Sequence, residues 1–141
     1  MQNFWTWLES TEPHPTAAVI ILKDDKALIL RRGMSAPWMP GKWNLAGGGI
    51  DAGENPQQAA IRECEEEAGI TPVNVKFHKK ISDPGFTLYL FVGETTQEPH
   101  INYESSEFTW VAKEDLKHYD FVPYIQQEIA MVLHTTSVPP R

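Results

Sequence analysis

The chain has 141 residues, 41% hydrophobic and 22% charged, the balance of one soluble globular domain with a sizeable core. Its net charge of −7 argues against broad binding to nucleic-acid backbones, which calls for a basic face. The longest apolar run, Ala17 to Leu22, is far too short to span a bilayer, no secretory signal is apparent, and the single cysteine excludes an internal disulfide, which together point to a cytoplasmic protein.

Met1 to Pro15 is rich in aromatics and prolines and reads as a short strand or an arm that packs on the body or on a second subunit. Thr16–Leu22 is a buried-type strand, Asp24-Asp25 a turn signal, and Lys26–Arg32 the returning strand of a hairpin. Gly33 to Lys42, with two prolines and two glycines, is a loop. Trp43-Asn44-Leu45 is a short strand leading into Ala46-Gly47-Gly48-Gly49, where glycines let the backbone turn sharply or approach a ligand. Asn55 as cap, Pro56 in the first turn and Gly69 just past the end predict a helix over 56–68. Val73–Ile81 alternates as a half-buried strand, Ser82 to Gly85 turns, and Phe86–Gly93 returns as its antiparallel partner. Glu94 to Ser106 is a polar loop, Phe108–Val111 a short strand, and Lys113 to Leu116 one helical turn. Val122, Ile125, Ile129, Val132 and Leu133 keep helical spacing, so a second helix runs from Val122 to about His134, before a tail over 135–141. No repeat or linker divides the chain, so residues 1–141 form one domain. Strands on either side of a central helix, with another helix at the end, predict a mixed sheet covered by helices on both faces.

The chemistry concentrates on the central helix. Ala60, Ile61, Cys64 and Ala68 share one side, while Glu63, Glu66 and Glu67 gather on another. Carboxylates so close repel one another, and a hard divalent cation with a preference for oxygen ligands removes that repulsion. Arg62 precedes Glu66 by four residues and can orient a carboxylate, and Glu54 can brace the arginine from the loop. Glu65 points elsewhere. An anionic ligand would likewise be repelled by the acidic cluster without bound metal, so any activity on one should depend on a divalent cation. Arg31, Arg32 and Lys42 flank the glycine segment and are candidates for contacts to phosphate.

The stretch GGIDAGENPQQAAIRECEEEAGI fits the pattern G-x5-E-x7-R-E-U-x-E-E-x-G-U, with U a bulky apolar residue, and so resembles the signature of the Nudix hydrolases. The matching positions are Gly48, Glu54, Arg62, Glu63, Glu66, Glu67, Gly69 and Ile70; Cys64 departs from the usual Leu, Ile or Val but is small and apolar enough to pack. The order of elements is also similar to the α/β/α Nudix sandwich.

That resemblance implies hydrolysis of a nucleoside diphosphate linked to another group, with Mg²⁺, or Mn²⁺ in its place, as the cofactor. It implies Glu63, Glu66 and Glu67 as metal ligands, Glu63 as the choice for the group that takes the proton of water, and a main-chain carbonyl at Gly47 or Gly48 on the metal. Glu107 is the first candidate for an additional acidic ligand, with Glu104 and Glu94 behind it. A nucleobase could stack on Trp38, Tyr89 or Trp110, with Phe121 a further aromatic of this kind. The favoured substrate is a nucleoside triphosphate, intact or damaged, cleaved to monophosphate and pyrophosphate. The alternatives are ADP-ribose or a nucleotide sugar and, in a different class, a nucleotide-binding module without catalysis. The aromatic arm and the strand edges could serve a homodimer.

Overall fold

In the computed structural model, residues 15–133 are described. The elements in order are β1 (Pro15–Lys23), β2 (Lys26–Arg32), β3 (Trp43–Asn44), β4 (Ala46–Gly49), α1 (Pro56–Ala68), β5 (Val73–Asp83), β6 (Phe86–Glu94), β7 (Ser105–Val111), a 3₁₀ turn (Lys113–His118) and α2 (Ile125–Val132). The proposed arm, apart from Pro15, and the tail lie outside the described residues.

The seven strands form one mixed sheet with a central path β3-β2-β1-β6-β5. β6 runs parallel to β1 along its whole length, from Pro15 opposite Thr87 to Leu22 opposite Glu94. The other edge of β1 is divided. Leu22 and Lys23 pair with β2, whereas Thr16 to Val19 pair antiparallel with β4. The sheet therefore forks between β1 and β2, and β4 fills one arm of the fork.

The alternation of β1 and β2 supplies a core on each face. Ala17, Val19, Ile21, Leu28 and Leu30 pack against Ala59, Ala60, Cys64 and Ala68 of α1. Ala18, Ile20, Ala27 and Ile29 pack with Leu116 of the 3₁₀ turn and Ile125 and Ile129 of α2 on the opposite face. This is the mixed α/β sandwich expected from the order of elements.

The boundaries of α1 match the local signals. The Asn55 side chain accepts the Gln58 amide while Gln58 returns a bond to the Asn55 amide, and Gly69 closes the end at φ 67°. Ala46–Gly49 forms β4, where the glycines permit close packing: a Cβ on Gly47 would fall 2.6 Å from the Ala17 carbonyl oxygen. β5, expected as a half-buried strand, is an edge strand with two register shifts: Ile81 joins one core and Val75 packs against the other, while Phe77 is 58% exposed. α2 begins at Ile125, not Val122, because residues 120–122 run extended beside β3, with Trp43 N donating to the Asp120 carbonyl and Val122 N to that of Trp43. Pro123 follows and disfavours helical backbone at Val122.

Candidate active site

The cleft lies where α1 crosses the fork. Arg62 organises its rim. Its Nε and Nη2 grip both oxygens of Glu54 at 2.6 and 3.0 Å, and Nη2 also donates to the Gly49 carbonyl at 3.0 Å. Nη1 reaches Glu63 Oε2 at 3.0 Å and Glu66 Oε1 at 3.3 Å. Glu54 in turn accepts the Asp51 amide at 2.8 Å, which ties the loop to the helix. The Arg62 hydrogen bond, set against the cost of burial, holds the Glu54 carboxyl below its ordinary value. The brace expected from the spacing is present.

Inside the rim, Glu63 lies under Gly48 so closely that a Cβ there would be 2.5–2.7 Å from its carboxylate atoms. Burial pushes its carboxyl above the ordinary range, opposed by Arg62. Glu67 accepts the Gly47 amide at 2.9 Å. Burial raises its carboxyl further, and a hydrogen bond to Glu104 and the charge of Glu63 add to the effect. Glu66 is 55% exposed in its side chain and turns toward Arg62. Glu65 bonds the Thr71 hydroxyl at 3.0 Å, away from the cleft as expected.

The further acidic side chain that the structure brings to the cleft is Glu104, which stood behind Glu107 in the order expected from sequence. Glu107 pairs with Arg31 at 3.0 Å on β7 and does not line the cleft, while Glu94 bonds Asn74 at the end of β6. Glu104 reaches the site because its loop docks on the end of α1. The His100 and Asn102 amides donate to the Ala68 and Glu67 carbonyls at 2.7 and 3.2 Å, and Asn102 Oδ1 accepts the Glu104 amide at 3.0 Å. Asn-x-Glu after a polar loop is a turn signal, but nothing local says which helix the turn will meet.

Glu63, Glu67 and Glu104 thus line a cleft of about 510 Å³ together with Gly47, Gly48, Gly49 and Arg32. Among the described residues, no three acidic, histidine or cysteine side chains stand grouped closely enough to hold a metal ion as they are. Glu63, Glu67 and Glu104 offer only carboxylate oxygens to the cleft, and burial pushes the carboxyls of Glu63 and Glu67 above their ordinary range. That chemistry fits a hard divalent cation that keeps water and phosphate oxygens in its shell.

Beside the acidic cleft, and sharing Arg32, Asn44, Leu45, Gly47 and Gly48 with it, opens an apolar lobe of about 870 Å³. Its walls include Trp38, Met39, Phe86, Leu88, Val122 and Ile125. Of the cations expected at phosphate, Arg32 stands at the junction, with its guanidinium over the Trp38 ring and Nε donating to the Trp38 carbonyl. Arg31 and Lys42 are instead engaged by Glu107 and Asp120, and neither lines the cleft. Of the aromatic candidates, Trp38 borders the lobe. Tyr89 lies on the α1 face beside Gln58 and Ile61, and Trp110 sits under Lys23, so neither meets the lobe. The lobe's Phe86, Val122 and Asn44 were not legible as site residues, because each reads as ordinary strand or helix sequence.

A NUDIX domain model matches residues 12–130. The chain is 30% identical over 118 residues to an 8-oxo-dGTP diphosphatase of Escherichia coli K12, across 81% of this chain and 92% of the relative. It is 32% identical over 117 residues to the nucleoside triphosphatase NudI of Escherichia coli O139:H28, across 72% and 83%. Among solved structures, the NUDIX domain of Shewanella oneidensis NrtR, crystallised with ADP ribose, superimposes with a TM-score of 0.73 at 19% identity, across 85% and 86%. A structure from a study of MutT from Aliivibrio salmonicida and Vibrio cholerae gives 0.71 at 25%, across 83% and 96%.

Proposed function

Because the chain belongs to the NUDIX domain family and is a pyrophosphohydrolase of it, we propose that it cleaves nucleoside triphosphates to monophosphate and pyrophosphate with a divalent cation, Mg²⁺ or in its place Mn²⁺. The observation that carries this reading is the junction of an acidic cleft with an apolar lobe, bridged by Arg32 and Asn44. A polyphosphate over Glu63, Glu67 and Glu104 leaves a nucleobase within reach of the lobe, whose size suits such a ligand. The similarity to an 8-oxo-dGTP diphosphatase and a nucleoside triphosphatase supports the same substrate class.

Glu63, Glu67, Glu104 and, after a rotation away from Arg62, Glu66 would hold the cation, with the main chain at Gly47 or Gly48. The cation supplies neutralisation of the phosphate oxygens and a water made more acidic. Glu63, half-buried and held by Arg62, is suited to take the proton of the attacking water at its carboxylate. Arg62 and Glu54 keep that carboxylate aimed, since a small misplacement is costly in rate. Arg32, at the junction, orients the phosphate nearest the nucleoside.

A product-resolved panel tests the proposal: intact and oxidised nucleoside triphosphates, ADP-ribose, nucleotide sugars and dinucleoside polyphosphates, each with Mg²⁺, with Mn²⁺ and with chelator. Glu66→Gln serves as the impaired control. Monophosphate and pyrophosphate from triphosphates, lost with chelator, is the expected result. A clear preference for a sugar nucleotide or ADP-ribose would overturn the substrate assignment, and cleavage unaffected by chelator would overturn the role of the cation.

A further inference from the structure

Two bulky residues adopt left-handed backbone, Met39 at φ 49° and Tyr124 at φ 76°; the other non-glycine cases among the described residues are Asp24, Asp25 and Asn74, types that tolerate it. Both bulky residues stand at the apolar lobe. Met39 lines it, and Tyr124 lies between the lining residues Pro123 and Ile125. Backbone strain of this kind persists where the surroundings hold it and gathers at functional sites.

Tyr124 occupies the cap position of α2 yet bonds no helix amide with its side chain. Its hydroxyl donates instead to Asp83 Oδ2 at 3.0 Å, across to the tip of the β5–β6 hairpin. The other oxygen of Asp83 accepts the Gly85 and Phe86 amides at 2.7 and 3.1 Å and so shapes that tip. The Phe86 and Tyr124 rings lie 5.8 Å apart. One carboxylate thus joins the wall formed by Asp83 to Phe86 to the wall formed by Val122 to Ile125. Its hydrogen bond and charge also push the Tyr124 phenol above its ordinary value.

We propose that Tyr124, acting through Asp83, fixes the spacing of the two walls of the apolar lobe and thereby sets which nucleobases the enzyme accepts. Tyr124 is a positioning residue: it does not line the lobe itself. A glycine would meet the backbone requirement without strain, so the benefit of tyrosine lies in its side chain. The inference rests on the reading that the lobe receives the base.

The test is kcat and KM for purine and pyrimidine nucleoside triphosphates, with ribose 5-triphosphate as a base-free comparator, for wild type, Tyr124→Phe and Tyr124→Gly. Melting temperatures are measured alongside. Loss of one partly exposed hydrogen bond to a charged acceptor should raise KM for the preferred nucleotide about 3- to 10-fold, with kcat within about twofold. The spread of kcat/KM among bases should narrow, and the base-free comparator should not respond. Tyr124→Gly should show the same loss of discrimination without melting below Tyr124→Phe, because glycine suits the backbone. Unchanged KM and base ranking in both variants would overturn the inference, as would an equal loss on every substrate accompanied by lower melting. A wild type that cleaves no nucleoside triphosphate would remove the parent reading and this one with it, an outcome distinct from active but unaltered variants.

Discussion

Gly48→Ala offers a direct test of how closely the backbone is fitted to Glu63, the carboxylate proposed to take the proton of water. A Cβ at this position would stand 2.5, 2.6 and 2.7 Å from Cδ, Oε2 and Oε1 of Glu63, whereas ordinary contact begins at 3.4 Å. The carboxylate must therefore withdraw by about 0.7–0.9 Å. It is the end of a flexible side chain, so the fold survives, but its hold on cation and water does not. A displacement of about 1 Å in a catalytic group costs on the order of 100-fold in rate. We expect kcat for the best substrate to fall by about that factor, with melting within a few degrees of wild type. The neighbouring glycines supply controls in both directions. Gly49→Ala meets nothing within 4 Å and should retain activity. Gly47→Ala meets Ala18 Cβ at 2.5 Å and the Ala17 carbonyl at 2.6 Å, so it should part β4 from β1 and lower stability itself. Steady-state kinetics across a Mg²⁺ titration, with thermal melts, would decide. Wild-type turnover in Gly48→Ala, or equal damage from Gly49→Ala, would refute the reasoning.

Three further outcomes follow from the site. The raised carboxyl of Glu67 means that the folded state holds a proton which the unfolded chain releases in the ordinary carboxylate range. Its stabilising contribution is full below that range and is lost as pH rises through the higher folded value, so melting of the metal-free protein should fall with rising pH. A divalent cation at about 100 times its dissociation constant should restore about 2.7 kcal/mol, near 10 °C for a domain of this size, and most fully at alkaline pH; calorimetry with and without chelator measures this, and a cation-insensitive melt counts against the assignment. Glu104→Gln should weaken the dependence on Mg²⁺ by about tenfold or more while Glu107→Gln behaves as wild type, and the reverse ranking in a Mg²⁺ titration would restore Glu107 to the site. Cys64 is fully buried against β1 and its thiol is pushed up to about 12, so it should resist alkylation in the native protein, and Cys64→Ala should cost about 1–2 kcal/mol in denaturant melts with turnover retained.

The parts legible in the sequence are those whose causes are local. Asn55, Pro56 and Gly69 bound α1 to the residue, and the spacing of Glu54, Arg62, Glu63 and Glu66 places their contacts on one helix and the loop before it. The illegible parts depend on partners distant in the chain. Glu107 and Glu104 look alike in sequence. Only the docking of His100 and Asn102 on α1, and the pairing of Arg31 with Glu107 across β2 and β7, separates them. Lys42 reads as a free cation until Asp120 is brought beside it. Tyr89 alternates as a strand residue should, but its face is set by the parallel register with β1, which no local pattern encodes.

The forked sheet carries a consequence for how the enzyme comes into being. Pro15 meets Thr87, and the Asn102 amide meets the carbonyl of Glu67, so the site closes through contacts between the two halves of the chain. Such non-local contacts exact their loop-closure entropy before they return any energy, which slows folding. In the folded domain, α1 holds its arginine and glutamates through local contacts, whereas Glu104 reaches them through β6 laid against β1 and the following loop docked on the helix. Competence for hydrolysis is thereby expected of the finished domain: a chain truncated before Glu104 should show no turnover even though it displays the whole acidic signature, and turnover by such a chain would count against this reading.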